Sequence, residues 1–294
     1  MERMTEQAAL LTLLRDRRSG WGAVADAVEA CGSAYEVLVK GAPGTQGDLF
    51  QADHAESLEA ARDEILEWEA QGIHLVTLLD DEYPGQLLTI HQRPPFLLYR
   101  GSLQVGDARG VAVVGTRQPS EEGVRSAGEI ATGLARRDVP IISGLAAGID
   151  TAAHKGALGA GGRTVAVIGT GLNHAYPPEN ASLQAKLSES HLVVSQFWPS
   201  ASPSKTGFPM RNAVMSGYAA ATVVVEAAWR SGARMQARLA LQHGRPVFLL
   251  KSLLQHDWAR EYAEKPGTYV VAGPEDVLDQ LSEVLAPAQE LIWK

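Results

Sequence analysis

The sequence predicts an α/β protein: an extended Rossmann-like, doubly wound domain with a mainly parallel sheet, preceded by a small helical domain. Three observations lead there. Seven short runs rich in Val and Ile follow one another from residue 111 onward, with helical stretches between most of them. Within each run the apolar residues are continuous rather than alternating, as in strands buried on both faces. The first 72 residues show helical spacing instead, broken by turn residues.

Taken in order, "EQAALLTLLRDRRSGWGAVADAVEA" reads as short helices interrupted at Ser19-Gly20. Gly41 to Gly47 is a turn-rich break, and "DHAESLEAARDEILEWEAQG" is an amphipathic helix closed by Gly72. These predict a helical domain over 1–75, a scaffold or protein-contact module without chemistry. A connecting segment over 76–109 holds short apolar strands punctuated by Pro84, Pro94 and Pro95. The α/β domain is expected over 110–285. Its strands are VAVVG (111–115), VPIISG (139–144), TVAVIG (164–169), LVVSQF (192–197), ATVVVEA (221–227), PVFLL (246–250) and TYVVA (268–272). A tail is expected over 286–294, with no C-terminal winged helix.

Composition excludes several classes. With 45% hydrophobic and 20% charged residues among 294, a large core is available. The single cysteine, Cys31, rules out an internal disulfide framework or a cysteine-rich metal site and fits a reducing compartment. No apolar run approaches the roughly 20 residues of a membrane span, and the first residues lack a signal-peptide pattern. A soluble, cytoplasmic protein is expected. The net charge of −8 is unevenly spread: residues 111–251 hold 14 basic against 8 acidic side chains, between two acidic flanks. A basic middle points to an anionic ligand.

In a doubly wound sheet, ligands bind beyond the carboxyl ends of the strands. After the first strand, Gly115 allows a sharp turn, Thr116 offers a hydroxyl and Arg117 a guanidinium, while Ser120 suits a helix N-cap. G-x-G-x-x-G is absent, so no dinucleotide fingerprint is present. The second loop, "SGLAAGIDTAAHKGAL", presents Ser143, Gly144 and Lys155. Asp150 reads as the N-cap of a helix over 151–158, and His154 as a packed histidine fixing a neighbouring loop rather than half of an acid–base pair. Gly169, Thr170 and Gly171 open a third loop, in which His174 and Glu179 lack any metal-site spacing. No G-x-S-x-G elbow or Walker A lysine is present. In the fourth, Lys205 and Phe208 lead to Arg211-Asn212 at a helix start, a pairing of cations and an aromatic suited to a nucleic-acid strand. Arg234 and Arg238, one helical turn apart with no acid between them, suit an anion.

"GTR", "SGLAAGID", "AAHKGAL", "VAVIGTGLNHAYPPEN", "FPMRN", "VVVEAAWRSGA" and "GRPVF" occur in the order and approximate spacing of the DNA processing protein A family, DprA or Smf. The resemblance covers about residues 80 to 250, and the helical N-terminal region, of SAM-like type, is also similar. It implies a homodimeric protein without established catalysis that binds single-stranded DNA and loads the recombinase RecA during natural transformation. It implies DNA contacts at Arg117, Ser143, Gly144, Lys205 and Arg211, with no cofactor and no metal. The chain departs from the pattern at Ala213, where a second arginine is usual, at Gln236 with Arg234 nearby, and at "VFLLKS" where V-P-G is usual. The lost charge at Ala213 would lower the salt slope by roughly one. Two other readings compete: a nucleotide-binding or nucleotide-hydrolysing enzyme of the lysine-decarboxylase-like group, whose P-G-G-x-G-T-x-x-E segment is absent, and a sensor that keeps the pocket without DNA binding.

Overall fold

The computed structural model describes residues 2–16, 20–40 and 54–292. The breaks expected at Ser19 and over Gly41 to Gly47 lie outside the described residues. Two compact units divide the chain, Met1–Arg100 and Gly101–Lys294.

The first unit holds α1 (Glu2–Arg15), α2 (Trp21–Cys31), α3 (Ala34–Lys40), α4 (His54–Ala70), β1 (His74–Thr77), the single turn α5 (Gly85–Leu88) and β2 (Phe96–Gly101). Leu10, Leu11, Val28, Leu38 and Ile65 are buried between its helices. Both strands of the expected connecting segment fall mainly in this unit, where β1 and β2 pair antiparallel and residues near them bond to or pack on the helices. Trp21 lies 5.4 Å from Phe96 between ring centroids. The Gln7 amide donates to Leu75 O and to Asp80, and Arg3 pairs with Asp80.

In the second unit all seven expected strands form: β3 (Val111–Val114), β4 (Ile141–Ser143), β5 (Thr164–Val167), β6 (Leu192–Ser195), β7 (Ala221–Val224), β8 (Val247–Leu250) and β9 (Thr268–Val271). Between them run α6 (Glu121–Ala135), α7 (Ile149–Gly159), α8 (Ala181–Ser190), α9 (Gly207–Tyr218), α10 (Gly232–Gln242) and α11 (Asp257–Ala263). After β9 comes α12 (Pro274–Ile292), which continues beyond the limit expected at 285 into the expected tail. The strands lie in the order β6-β5-β4-β3-β7-β8-β9, all pairing in parallel. The chain therefore winds outward from β3 through β4, β5 and β6, then returns to place β7 on the other side of β3. The switch point lies between β3 and β7, where a doubly wound sheet opens its ligand crevice.

The core of this unit joins sheet and helices through Val111, Val113, Ile130, Leu134, Ile141, Ile149 and Phe248. One buried polar cluster ties its first turn to the body. Asp107, 1% exposed, accepts from Arg163 and from the Tyr218 hydroxyl at 3.2 Å. Burial, together with that carboxylate, pushes the Tyr218 phenol well above its ordinary range. No helix among the described residues is long and apolar enough to cross a membrane.

Candidate nucleic-acid interface

Four loops meet beyond the carboxyl ends of the strands, and the β3 loop comes first. Ser120 is the N-cap of α6 as expected, its hydroxyl accepting from Gly123 N at 3.0 Å. The carboxylate of Glu226, from the segment after β7, binds Ser120 at both N and Oγ. Glu226 O accepts from Thr116 N at 2.7 Å, so the β3 and β7 loops are joined at the switch point. This fixes Gly115, Thr116 and Arg117 along one wall of a cleft of about 380 Å³. Ala228, Arg230 and Ser231, from the segment after β7, line the same cleft.

The β4 loop is tightly bonded. Asp150 does not cap its helix: α7 starts two residues earlier than expected, at Ile149, with Gly148 at the N-cap. Gly148 sits at φ +83°, and a Cβ there would stand 2.4 Å from Thr116 O, so only glycine fits. The Asp150 carboxylate turns back on the loop and accepts from Gly144 N at 3.1 Å and Ala146 N at 3.3 Å. Asn180 donates to Leu145 O and to Thr151 Oγ1, both at 2.9 Å, holding Leu145 at φ +57°. Ser143, expected to face a phosphate, is completely buried and its hydroxyl donates to Val113 O at 2.7 Å. The hydroxyl of Ser143 and the amide of Gly144, expected as phosphate donors, are bonded within the protein in this structure, while Gly144 lines the smaller cleft.

Arg211 brings a second correction. It is expected at a helix start facing DNA, but α9 begins at Gly207 and Arg211 lies inside its second turn. The residue is 6% exposed, and its guanidinium donates to Gly144 O, to Val167 O at 2.8 Å and to Asn212 Oδ1 at 2.9 Å. Burial lowers its proton affinity, Asp150 opposes that shift and Arg117 adds to it. Asp150 is shifted upward by the same burial, against the pull of Arg211 and the two loop amides. Arg211 is therefore a tie between the β4 loop, the end of β5 and α9, with only its edge reaching the cleft. Asn212 beside it donates to Gly232 O at 3.1 Å. The Gln236 amide, oriented by its hydrogen bonds, bridges Asn212 O and Ser216 N of α9.

His154 is fully buried, as a packed histidine should be. Its Nδ1 lies 2.7 Å from Thr164 Oγ1 at the start of β5, whose own hydroxyl donates to Ile141 O. Burial first, then the positive field of His191 and Arg211, pulls its pKa down to about 3. Asp150 and His154 share a helix but serve different neighbours, and both are enclosed. Among the described residues no cluster of His, Cys, Asp or Glu could hold a metal ion.

What remains open is aromatic and cationic. Arg117 is exposed, its guanidinium carbon 5.2 Å from the centroid of the Phe208 ring. Phe208 is half-buried against Tyr176, with centroids 5.5 Å apart, and lies over Gly169 so closely that a Cβ there would stand 2.7 Å from its ring. This pair forms a ridge between the 380 Å³ cleft and a smaller one of about 190 Å³ lined by Tyr176 and Glu179. Gly171 is pressed against the carbonyls of Trp198 and Pro199, and Thr170 is 2% exposed, so both shape the third loop from within. Lys205 is exposed on the turn before α9 and Lys155 is exposed on α7, neither among the described residues lining the two clefts. Arg234 lines neither cleft; it stacks on Trp229 instead, 3.9 Å from the ring centroid. Sequence reasoning missed Glu226 and Tyr176, and Arg230, read there as a helix residue beside Arg234 and Arg238, lies in the segment before α10 and lines the larger cleft. Tyr176 and Trp229 each stand inside a glycine- or proline-marked loop after a strand, the one signal available for them.

The family model of the DNA recombination-mediator protein A matches residues 74–282. The chain belongs to this family. The DNA processing protein DprA of Streptococcus pneumoniae is 43% identical over 174 residues, 59% of this chain and 61% of that protein. That of Bacillus subtilis is 32% identical over 216 residues, 72% of this chain and 73% of that protein. Protein Smf of Escherichia coli is 39% identical over 211 residues, covering 71% of this chain and 56% of that protein. The chain thus matches less than two thirds of the pneumococcal and E. coli proteins. Among solved structures, pneumococcal DprA superposes with a TM-score of 0.67 at 31% identity, covering 95% of this chain and 93% of that one. DprA from Helicobacter pylori, described for its single-stranded-DNA binding mode, gives 0.63 at 25% identity, covering 71% and 96%. The extended Rossmann-like architecture is therefore that of the family.

Proposed function

We propose that this protein is a single-stranded-DNA-binding recombination mediator of DprA type. It protects incoming strands and delivers them to RecA, working as a homodimer in the cytoplasm. The observation that carries the reading is the Arg117–Phe208 ridge at the switch-point cleft. An accessible guanidinium meets a phosphate there, and the adjoining ring stacks on a base. Stacking and phosphate contacts tolerate any sequence, so little sequence preference follows. The engagement of both Asp150 and His154 supports binding over the nucleotide-hydrolysing alternative: His154 is fully buried and lines neither cleft, and the Asp150 carboxylate, at the cleft's edge, is held by the loop amides of Gly144 and Ala146.

The test is titration of labelled oligothymidine followed by fluorescence anisotropy. Affinity should fall steeply between about 50 and 300 mM salt, with duplex DNA competing poorly. Binding that is indifferent to salt, or equally well competed by duplex, contradicts the reading.

A further inference from the structure

Trp229 stands apart from the other tryptophans whose surroundings are described. It is 53% exposed, on the segment between β7 and α10. Arg234 lies over it at 3.9 Å and donates to Trp229 O at 3.4 Å. Arg234 in turn is 5.9 Å from the Tyr262 ring, over which Lys265 sits at 4.0 Å. The indole is thus held in place by a cation on a second aromatic, a rigid mount for an exposed ring. Its chain neighbours Ala228, Arg230 and Ser231 line the same cleft as Arg117 and Phe208.

We infer that Trp229 is a second base-stacking platform, with exposed Arg230 as its phosphate contact, so that one DNA strand is gripped both by Arg117 and Phe208 and by the segment after β7. The inference rests on the single-stranded-DNA reading of that cleft. Its physics is the same as at Phe208: a π-face accepts any base, and the neighbouring cation fixes the backbone. Arg234, expected from sequence as a phosphate contact, is instead a positioning residue that braces the ring. The occupant is a nucleic-acid base rather than a protein side chain, because the ring opens beside a cleft lined by Arg117, Arg211 and Arg230.

The experiment compares wild type, Trp229→Ala, Trp229→Phe and Arg117→Ala on a labelled oligothymidine and on an abasic oligomer of the same length. Thermal melts accompany each variant as a folding control. Trp229→Ala should bind oligothymidine about tenfold more weakly while binding the abasic oligomer as wild type does. Trp229→Phe should keep most of the affinity and remove part of the tryptophan quenching seen on binding. Unchanged oligothymidine affinity in Trp229→Ala, or an equal loss on both oligomers, overturns the inference. If Arg117→Ala weakens binding and Trp229→Ala does not, only the second platform fails. If wild type binds neither oligomer, the DNA reading fails with it.

Discussion

Arg211 and Arg117 look alike in sequence, each an arginine in a strand-end loop, yet they occupy opposite conditions. Arg211 is buried, bonded to the carbonyls of Gly144 and Val167, and electrostatically coupled to Asp150. Arg117 is exposed, resting on an aromatic face. The difference teaches that this site is built in two layers. An inner polar layer of Asp150, Arg211, Asn180 and Ser143 bonds the loops together, with Asp150 and Arg211 reaching the edge of the cleft, and an outer layer of Arg117, Phe208 and Arg230 is more open to it.

The sharpest way to break that contrast is to remove the inner cation. Arg211→Ala leaves three acceptors and the buried Asp150 without their partner, and should destabilise the protein by about 3–5 kcal/mol, lowering Tm by roughly 10 °C. Arg211→Lys should recover little, because a lysine cannot reach the three acceptors with one planar fork. A Tm within a degree or two of wild type in Arg211→Ala would contradict the two-layer account.

Acid titration sharpens it next. The folded pKa of His154, about 3, lies below the 6.5 of the unfolded chain. Below pH 6.5 the unfolded state binds the extra proton, so stability falls as pH drops from 6.5 toward 3. The slope approaches about 1.4 kcal/mol per pH unit. Asp150, shifted upward, acts with the opposite sign between its unfolded value of 3.8 and its raised folded value. Urea unfolding of wild type and His154→Gln isolates the histidine as the difference between two profiles, the wild type being steeper between pH 6.5 and 4, because His191 and His243, also lowered by burial, and Asp150 contribute to both. Parallel profiles would mean that His154 titrates in the folded protein.

Gly169→Ala makes the smallest structural demand. The new methyl meets the Phe208 ring rather than backbone, so the ring shifts and the fold survives. Oligothymidine affinity should drop a few-fold with Tm nearly unchanged, and unaltered affinity would remove Phe208 from the binding surface.

Much of the second unit was legible in the sequence. Strands buried on both faces must be continuously apolar, and each of the seven runs became a strand. Ser120 capped its helix because a hydroxyl before an acidic first turn has few other uses. The fate of Arg211 was not legible. The carbonyls that bury it lie 67 and 44 residues away in the chain, and local motif chemistry carries no trace of them. Likewise the i, i+4 spacing of Arg234 and Arg238 is visible, but the ring on which Arg234 rests comes from the loop before its helix. The Asp150–His154 spacing correctly places both on one helix and says nothing of the loop and strand to which each is bonded. The first unit extends past residue 75 because strand pairing binds β1 to β2, a contact that helical periodicity cannot announce.

The most direct test of the central claim is the salt dependence of oligothymidine binding for wild type, Arg117→Ala and Arg211→Lys, each with its melting curve. The account predicts that Arg117→Ala keeps its stability within about 0.5 kcal/mol and lowers the salt slope by about one. It predicts that Arg211→Lys loses stability, while its folded fraction at low temperature keeps the wild-type slope. A reduced salt slope in Arg211→Lys with an unchanged melt, or an unchanged slope in Arg117→Ala, would contradict it.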